Sequence, residues 1–212
     1  MMLDRISGRM SDGVAVKNRY GTVIRQKPVY RPTPSTRQLA TTQRLRQATA
    51  VWNELDITQA QAWDAYASTL TRTSPINGTQ YSPSGFNAFI MLATKFLQAN
   101  PSGTVPTSPP TTGFNPTSLQ ISVAGIAEGV LFLSELPSEG GVVVELTLQR
   151  LVNQRRKPGD KYQSMDFVAF TSGEMSHLVE TEPGWYACAI RQVEAATGRM
   201  QNWVPLGVVN VG

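Results

Sequence analysis

The chain's reactive side chains are few. Its 212 residues contain one histidine, His177, and one cysteine, Cys188. A single histidine leaves no two-histidine metal site within one chain. His177 opens the apolar run HLV, which is the setting of a structural or surface residue more than of a proton carrier. Cys188 lies in WYACAI with no cysteine-protease signature around it. It reads as a small buried hydrophobe, and it has no partner for a disulfide within the chain. The sequence has no GxxxxGK[ST] loop, no dinucleotide glycine fingerprint and no GxSxG elbow. Ser172-Gly173-Glu174 and Ser138-Glu139-Gly140-Gly141 read as ordinary turns, and the scattered acids read as solvated positions. The expectation is a protein that is not an enzyme and carries no metal or cofactor.

Positive charge is the stronger signal. Residues 1–46 hold ten Lys/Arg against two acids, a charge of +8, while the rest of the chain carries nine against thirteen, or −4. Such asymmetry marks the N-terminal fifth as an arm drawn to something anionic. Within it, VKNRYGTVIRQKPVYRP (residues 16–32) has five cations and no acid. Cations there alternate with strand-forming residues. A purely solvated tail has no use for Val14, Val16, Val23, Ile24 and Val29. The pattern suits a strand that adds to another protein's sheet, with Arg and Lys meeting acidic groups. The candidate partner-binding residues are Val16, Lys17, Arg19, Tyr20, Val23, Ile24, Arg25, Lys27, Val29, Tyr30 and Arg31. Phosphate neutralisation, with Tyr20 and Tyr30 stacking on bases, is the rival reading. No RNP run, helix-turn-helix or zinc-finger spacing supports base reading. A second cluster, Arg155, Arg156, Lys157 and Lys161 in RRKPGDK, reads as a basic turn that protects an edge or aids solubility.

Four segments must position these residues. Residues 1–34 form the basic extended β-arm, with strand-like VAVKN and GTVIRQ joined by a turn at Asn18–Gly21. Pro28, Pro32 and Pro34 end it. Residues 35–99 form a small three-helix unit. Ser35 with Gln38 has capping-box spacing. Thr58 with Gln61 repeats that spacing, and Ser82-Pro83 suits a cap and first turn. Leu45, Ala48, Trp52 and Leu55 make one stripe, and Phe86, Phe89, Ile90, Ala93, Phe96 and Leu97 make a broad face. Trp52, Trp63 and Phe89 are the expected helical anchors. Residues 100–118, with five prolines and no charge, read as an extended semi-rigid linker. Residues 119–212 supply seven candidate strands with turns at PSEGG, RRKPGD, EPG and ATGR, which suits an immunoglobulin- or fibronectin-III-like β-sandwich. The Cys-Trp-Cys pattern of true immunoglobulin domains is absent. The fold class is α+β. No apolar run approaches the ~18 residues of a membrane span, and MMLDRISGRMSDG lacks the apolar core of a secretory signal. The expected setting is therefore a reducing cytoplasm.

ISGRMSDGVAVKNRYGTVIRQKP, the pair of helices in WNELDITQAQAWDAYAS, and SPSGFNAFIMLATKFL together resemble accessory structural proteins of tailed bacteriophage virions. The resemblance covers about the first hundred residues and contains no catalytic motif. It implies a multicopy virion subunit made in the host bacterial cytoplasm, most simply a capsid decoration or cement protein. Its partners would be the major capsid protein or connector and tail subunits. A head-tail or tail component, a DNA-binding protein using the arm, and a glycan-binding module using Trp185 or Trp203 are the competing readings.

Overall fold

The computed structural model describes residues 8–9, 13–18, 21–26, 33–74, 78–159 and 161–212. They form three helices and twelve strands, a mixed α+β chain. The chain divides into two compact units, residues 1–40 and 41–212.

In the first unit, β1 (Gly8–Arg9), β2 (Gly13–Asn18) and β3 (Gly21–Gln26) form an antiparallel sheet in the order β1-β2-β3. β-Branched residues fill β2 and β3, and Asn18 pairs with Gly21 at the turn. Val16 lies opposite Val23, Ala15 opposite Ile24 and Val14 opposite Arg25. The expected strand pair is present, and Gly8–Arg9 adds a third strand to it.

Helix α1 (Thr36–Glu54) begins at the expected capping box. The Gln38 amide donates to Ser35 Oγ, and Gln38 Oε1 accepts from the Ser35 amide. The other two helices start elsewhere than expected. Asp56, not Thr58, caps α2 (Ile57–Ser68) and exchanges both capping-box bonds with Gln59. A carboxylate two residues upstream satisfies the free amides first. Ser84, not Ser82, caps α3 (Gly85–Ala99) by accepting from the Asn87 amide, which leaves Pro83 outside the helix.

Ala48 of α1, Trp63 and Ala67 of α2, and Phe89, Leu92, Ala93, Phe96 and Leu97 of α3 form the helical core. Gly85 permits the closest approach of α2 and α3. Its amide donates to Asp64 Oδ1 at 3.0 Å, and a Cβ there would sit 2.8 Å from the Asp64 backbone nitrogen.

The seven expected C-terminal strands all form: β6 (Ile121–Ile126), β7 (Gly129–Ser134), β8 (Val142–Leu151), β9 (Gln163–Val168), β10 (Ser176–Glu180), β11 (Gly184–Glu194) and β12 (Val204–Val211). Short strands β4 (Arg72–Thr73) and β5 (Gln80–Tyr81) pair between α2 and α3. One antiparallel sheet has the order β10-β7-β6 and the other β12-β11-β8-β9. Val130, Phe132 and Val179 of the first meet Val144, Leu146, Leu148, Tyr186, Cys188 and Ile190 of the second in one core. Tyr186 is buried, and its hydroxyl donates to the Glu182 carbonyl at 2.9 Å, four residues upstream. Tyr186→Phe removes this bond and leaves a carbonyl short of a donor. The expected loss is about 1 kcal/mol, measurable as a lower urea midpoint with an unchanged slope.

Alternation leaves the odd-numbered residues of β8 and β11 on the outer face of the four-stranded sheet, yet Glu145, Thr147, Ala187, Ala189 and Val193 are buried there as well. Lys95 of α3 reaches Glu145 on that face, making the helices a third layer. Gly198, in the turn after β11, adopts φ +76° against α3. A Cβ on it would run into the Leu92 carbonyl oxygen and lie 2.7 Å from the Phe96 nitrogen. Asn100 Nδ2 donates to the Ala195 carbonyl at 2.6 Å.

Residues 100–118 lack regular structure, as five prolines require, but they are tied along their length. Val105 is buried in the helical core. The Thr107 carbonyl accepts from Trp63 Nε1 at 2.8 Å, the Thr112 carbonyl from Arg199, and the Thr117 carbonyl from Gln192 Nε2 at 2.9 Å. The Thr117 amide donates to Glu139 Oε1 at 2.7 Å. The segment expected to behave as a linker is a strap fastened to both layers.

Candidate functional site

The best candidate surface is the N-terminal sheet. Among the described residues strand β3 is its edge, paired with β2 and no other strand. An edge strand offers a row of backbone N–H and C=O groups to any chain that aligns with it. Val16 and Val23 face each other on one side, and Val23 and Ile24 are 50% and 53% exposed. Arg25 follows two residues after Val23 on the same face and is exposed too. Ala15, opposite Ile24, is buried. The edge thus carries apolar grip and positive charge together. Lys17 lies opposite Thr22. Arg19, Tyr20, Lys27, Val29, Tyr30 and Arg31 lie outside the described residues.

The three helical anchors come together. Trp63 and Phe89 stack edge-to-face with ring centroids 5.1 Å apart, and Trp52 meets Phe89 at 5.4 Å and Phe86 at 5.5 Å. However, Trp63 and Phe89 are buried. They build the core of the helical layer, and only Trp52 and Phe86 keep part of their surface in solvent.

The most heavily desolvated charges lie between α3 and the sheet. Glu145 is 1% exposed. Its Oε1 accepts from Lys95 Nζ at 2.9 Å and its Oε2 from Arg191 Nε at 2.6 Å. Lys95 also donates to Gln98 Oε1 at 2.6 Å. The Arg191 guanidinium lies 4.0 Å from the centre of the Trp203 ring. Burial pushes the Glu145 carboxyl up, but the bonds from Arg191 and Lys95 outweigh it and hold the group below the usual carboxylate range. Burial lowers Lys95, against the pull of Glu145. The arrangement fixes one docking position for the helices.

The sequence reading passed over this triad, although the signal was present. Glu145 in VVVELTL, Arg191 in ACAIRQV and Lys95 in IMLATKFL are each a lone charge inside an apolar run. Lone charges of opposite sign in such runs are candidates for one another.

The remaining features are dispersed. His177 Nε2 lies 2.9 Å from Asp166 Oδ2, an exposed pair that joins β10 of one sheet to β9 of the other. Cys188 is fully buried, and desolvation pushes its thiol up to about 12. Such a thiol is inert toward nucleophilic chemistry at neutral pH. Arg155, Arg156, Lys157 and Lys161 are exposed around the turn after β8. Trp203 has one face occupied by Arg191, and Trp185 lines an open groove of about 420 Å³ with Arg150, Leu151, Val152 and Gly184. Among the described residues, no group of three or more His, Cys, Asp or Glu could hold a metal ion. Among them, too, no helix is long and apolar enough to cross a membrane.

Comparison of the chain with models of protein families, with curated proteins and with solved structures finds no match.

Proposed function

We propose that this chain is a non-enzymatic assembly subunit that joins neighbouring proteins by adding strand β3 to a partner's sheet. The observation that carries the reading is the conjunction on one edge strand: a side with no strand partner among the described residues, exposed Val23 and Ile24, and Arg25 beside them. Main-chain bonds give such an interface its grip, side chains its register, and charge its encounter rate. In a particle with many copies, modest contacts multiply through avidity. The likeness of the first hundred residues to accessory structural proteins of tailed phages makes a capsid decoration or cement role in a virion the most economical setting. The chain would be made in the host bacterial cytoplasm.

The β-layer supports a companion reading, a fibronectin-III-like sandwich. Lettered A, B, C, C′, E, F and G in chain order from β6 to β12, the seven strands fall into sheets A-B-E and C′-C-F-G. The fourth strand pairs with C rather than with E. Tyr186 near the start of the sixth strand, two residues before Cys188 and bonded back to Glu182, has the form of a tyrosine corner.

Deleting residues 1–32 tests the function. Binding to purified capsids should fall at least tenfold and should be largely insensitive to salt in the intact chain. A steep fall in binding to duplex DNA with rising salt, without capsid binding, would favour the phosphate-neutralising arm instead.

A further inference from the structure

We propose that the acceptor for strand β3 is strand β10 of a second copy of this chain, so that copies associate head to tail. The inference rests on the strand-addition reading and names its partner.

Among the described residues strand β10 is an edge of the three-stranded sheet, paired with β7 alone. Val179 points into the core, so Ser176, Leu178 and Glu180 face outward. Register places Leu178 beside Leu131 and Leu131 beside Ala124, with Ser176 beside Leu133 and Leu133 beside Ser122. The outer face of this sheet is therefore an apolar band, and Leu133 within it is 39% exposed.

The charge around that band has one sign. Residues 119–141 and 171–182, which contain β6, β7, β10 and their turns, hold six acids and no Lys or Arg. Glu128, Glu135, Glu174 and Glu180 are all exposed. Residues 1–46 carry +8. Two edges of one sequence thus have complementary alternation: Leu178 then Glu180 on β10, Val23 then Arg25 on β3. A strand laid parallel to β10 sets Val23 beside Leu178 and Arg25 beside Glu180, which pairs apolar with apolar and cation with anion. Because donor and acceptor edges differ, the contact is heterologous and propagates into rings or strings.

Sedimentation velocity of the full chain over a concentration series tests this. Association should appear at high micromolar concentration. R25E and E180R should each weaken it on the order of tenfold. An equimolar mixture of the R25E and E180R chains should regain it, since every contact in an alternating string then joins opposite charges. A mixture of V23C and L178C chains should form an intermolecular disulfide under mild oxidation, against a clean background because Cys188 is buried. A full chain that stays monomeric throughout, or a charge-reversed mixture that fails to recover, overturns the proposal. If the monomeric chain still needs residues 1–32 to bind capsids, strand addition stands and only the acceptor named here is wrong. If self-association persists while capsid binding ignores the deletion, the capsid role fails instead.

Discussion

Glu145→Ala is expected to lower the unfolding free energy by about 3–5 kcal/mol, among the largest effects of any single substitution in this chain. The carboxylate is surrounded by two cations with little access to water, Lys95 and Arg191 side chains being 10% and 17% exposed. Removing it leaves both charges buried without a counter-ion, and that residue of unpaired charge costs more than the pair itself contributes. Chemical denaturation measures the loss directly. The pH dependence supplies a second reading. The Glu145 carboxyl lies below its ordinary value of 4.5, so the folded state holds a proton there less readily than the unfolded chain. Its contribution is complete above the unfolded value and disappears as pH falls through the lower folded one. Glu145→Gln should therefore flatten the acid limb of the stability profile. Part of that limb should survive, because Glu194 is lowered by its bond from Arg199. Lys95 works in the other direction. Its value is lowered by burial, so it subtracts stability at neutral pH and returns it only in alkali.

Gly198→Ala should cost about 2–4 kcal/mol and should act at a distance from its own turn. A side chain at φ +76° is strained in itself, and here it would also push on the backbone of α3 at Leu92 and Phe96. The turn must retreat or the helix must shift, and either movement loosens the seat of the helical layer. Hydrogen exchange should accelerate along α3, not only at residues 195–200. Gly140→Ala is the control. Nothing lies within 4 Å of its would-be Cβ, and its effect should stay within about 0.5 kcal/mol.

Both predictions concern the junction between helices and sheet, which is also where sequence reading was weakest. Individual elements were legible because their patterns are local. Seven strands could be read from alternation and turn residues, and α1 from Ser35 and Gln38. The helix starts at Asp56 and Ser84 were harder, since several capping residues stand close together and only geometry decides which one reaches the free amides. The layering could not be read at all. It depends on Lys95 meeting Glu145 fifty positions away and on Gly198 fitting under Leu92, neither of which leaves a periodic trace. Candidate interface residues divide similarly. Val16 on β2 and Val23, Ile24 and Arg25 on the edge strand β3 stay exposed because strand-forming residues without a core of their own remain outside one. Trp63 and Phe89 looked like anchors because aromatic side chains serve surfaces and cores alike. Their burial follows from the close packing of α2 on α3 that Gly85 permits.

The proline-rich strap bears on how such a gene could be cut and rejoined. A stretch of prolines, serines and threonines without charge looks like the natural crossover point for exchanging one terminal module for another. In this protein a break there would strip Trp63 and Gln192 of their acceptors, expose Val105 and part Lys95 and Glu145. The halves therefore hold together as one packed piece, and a viable chimera would have to join before the helices rather than between the layers.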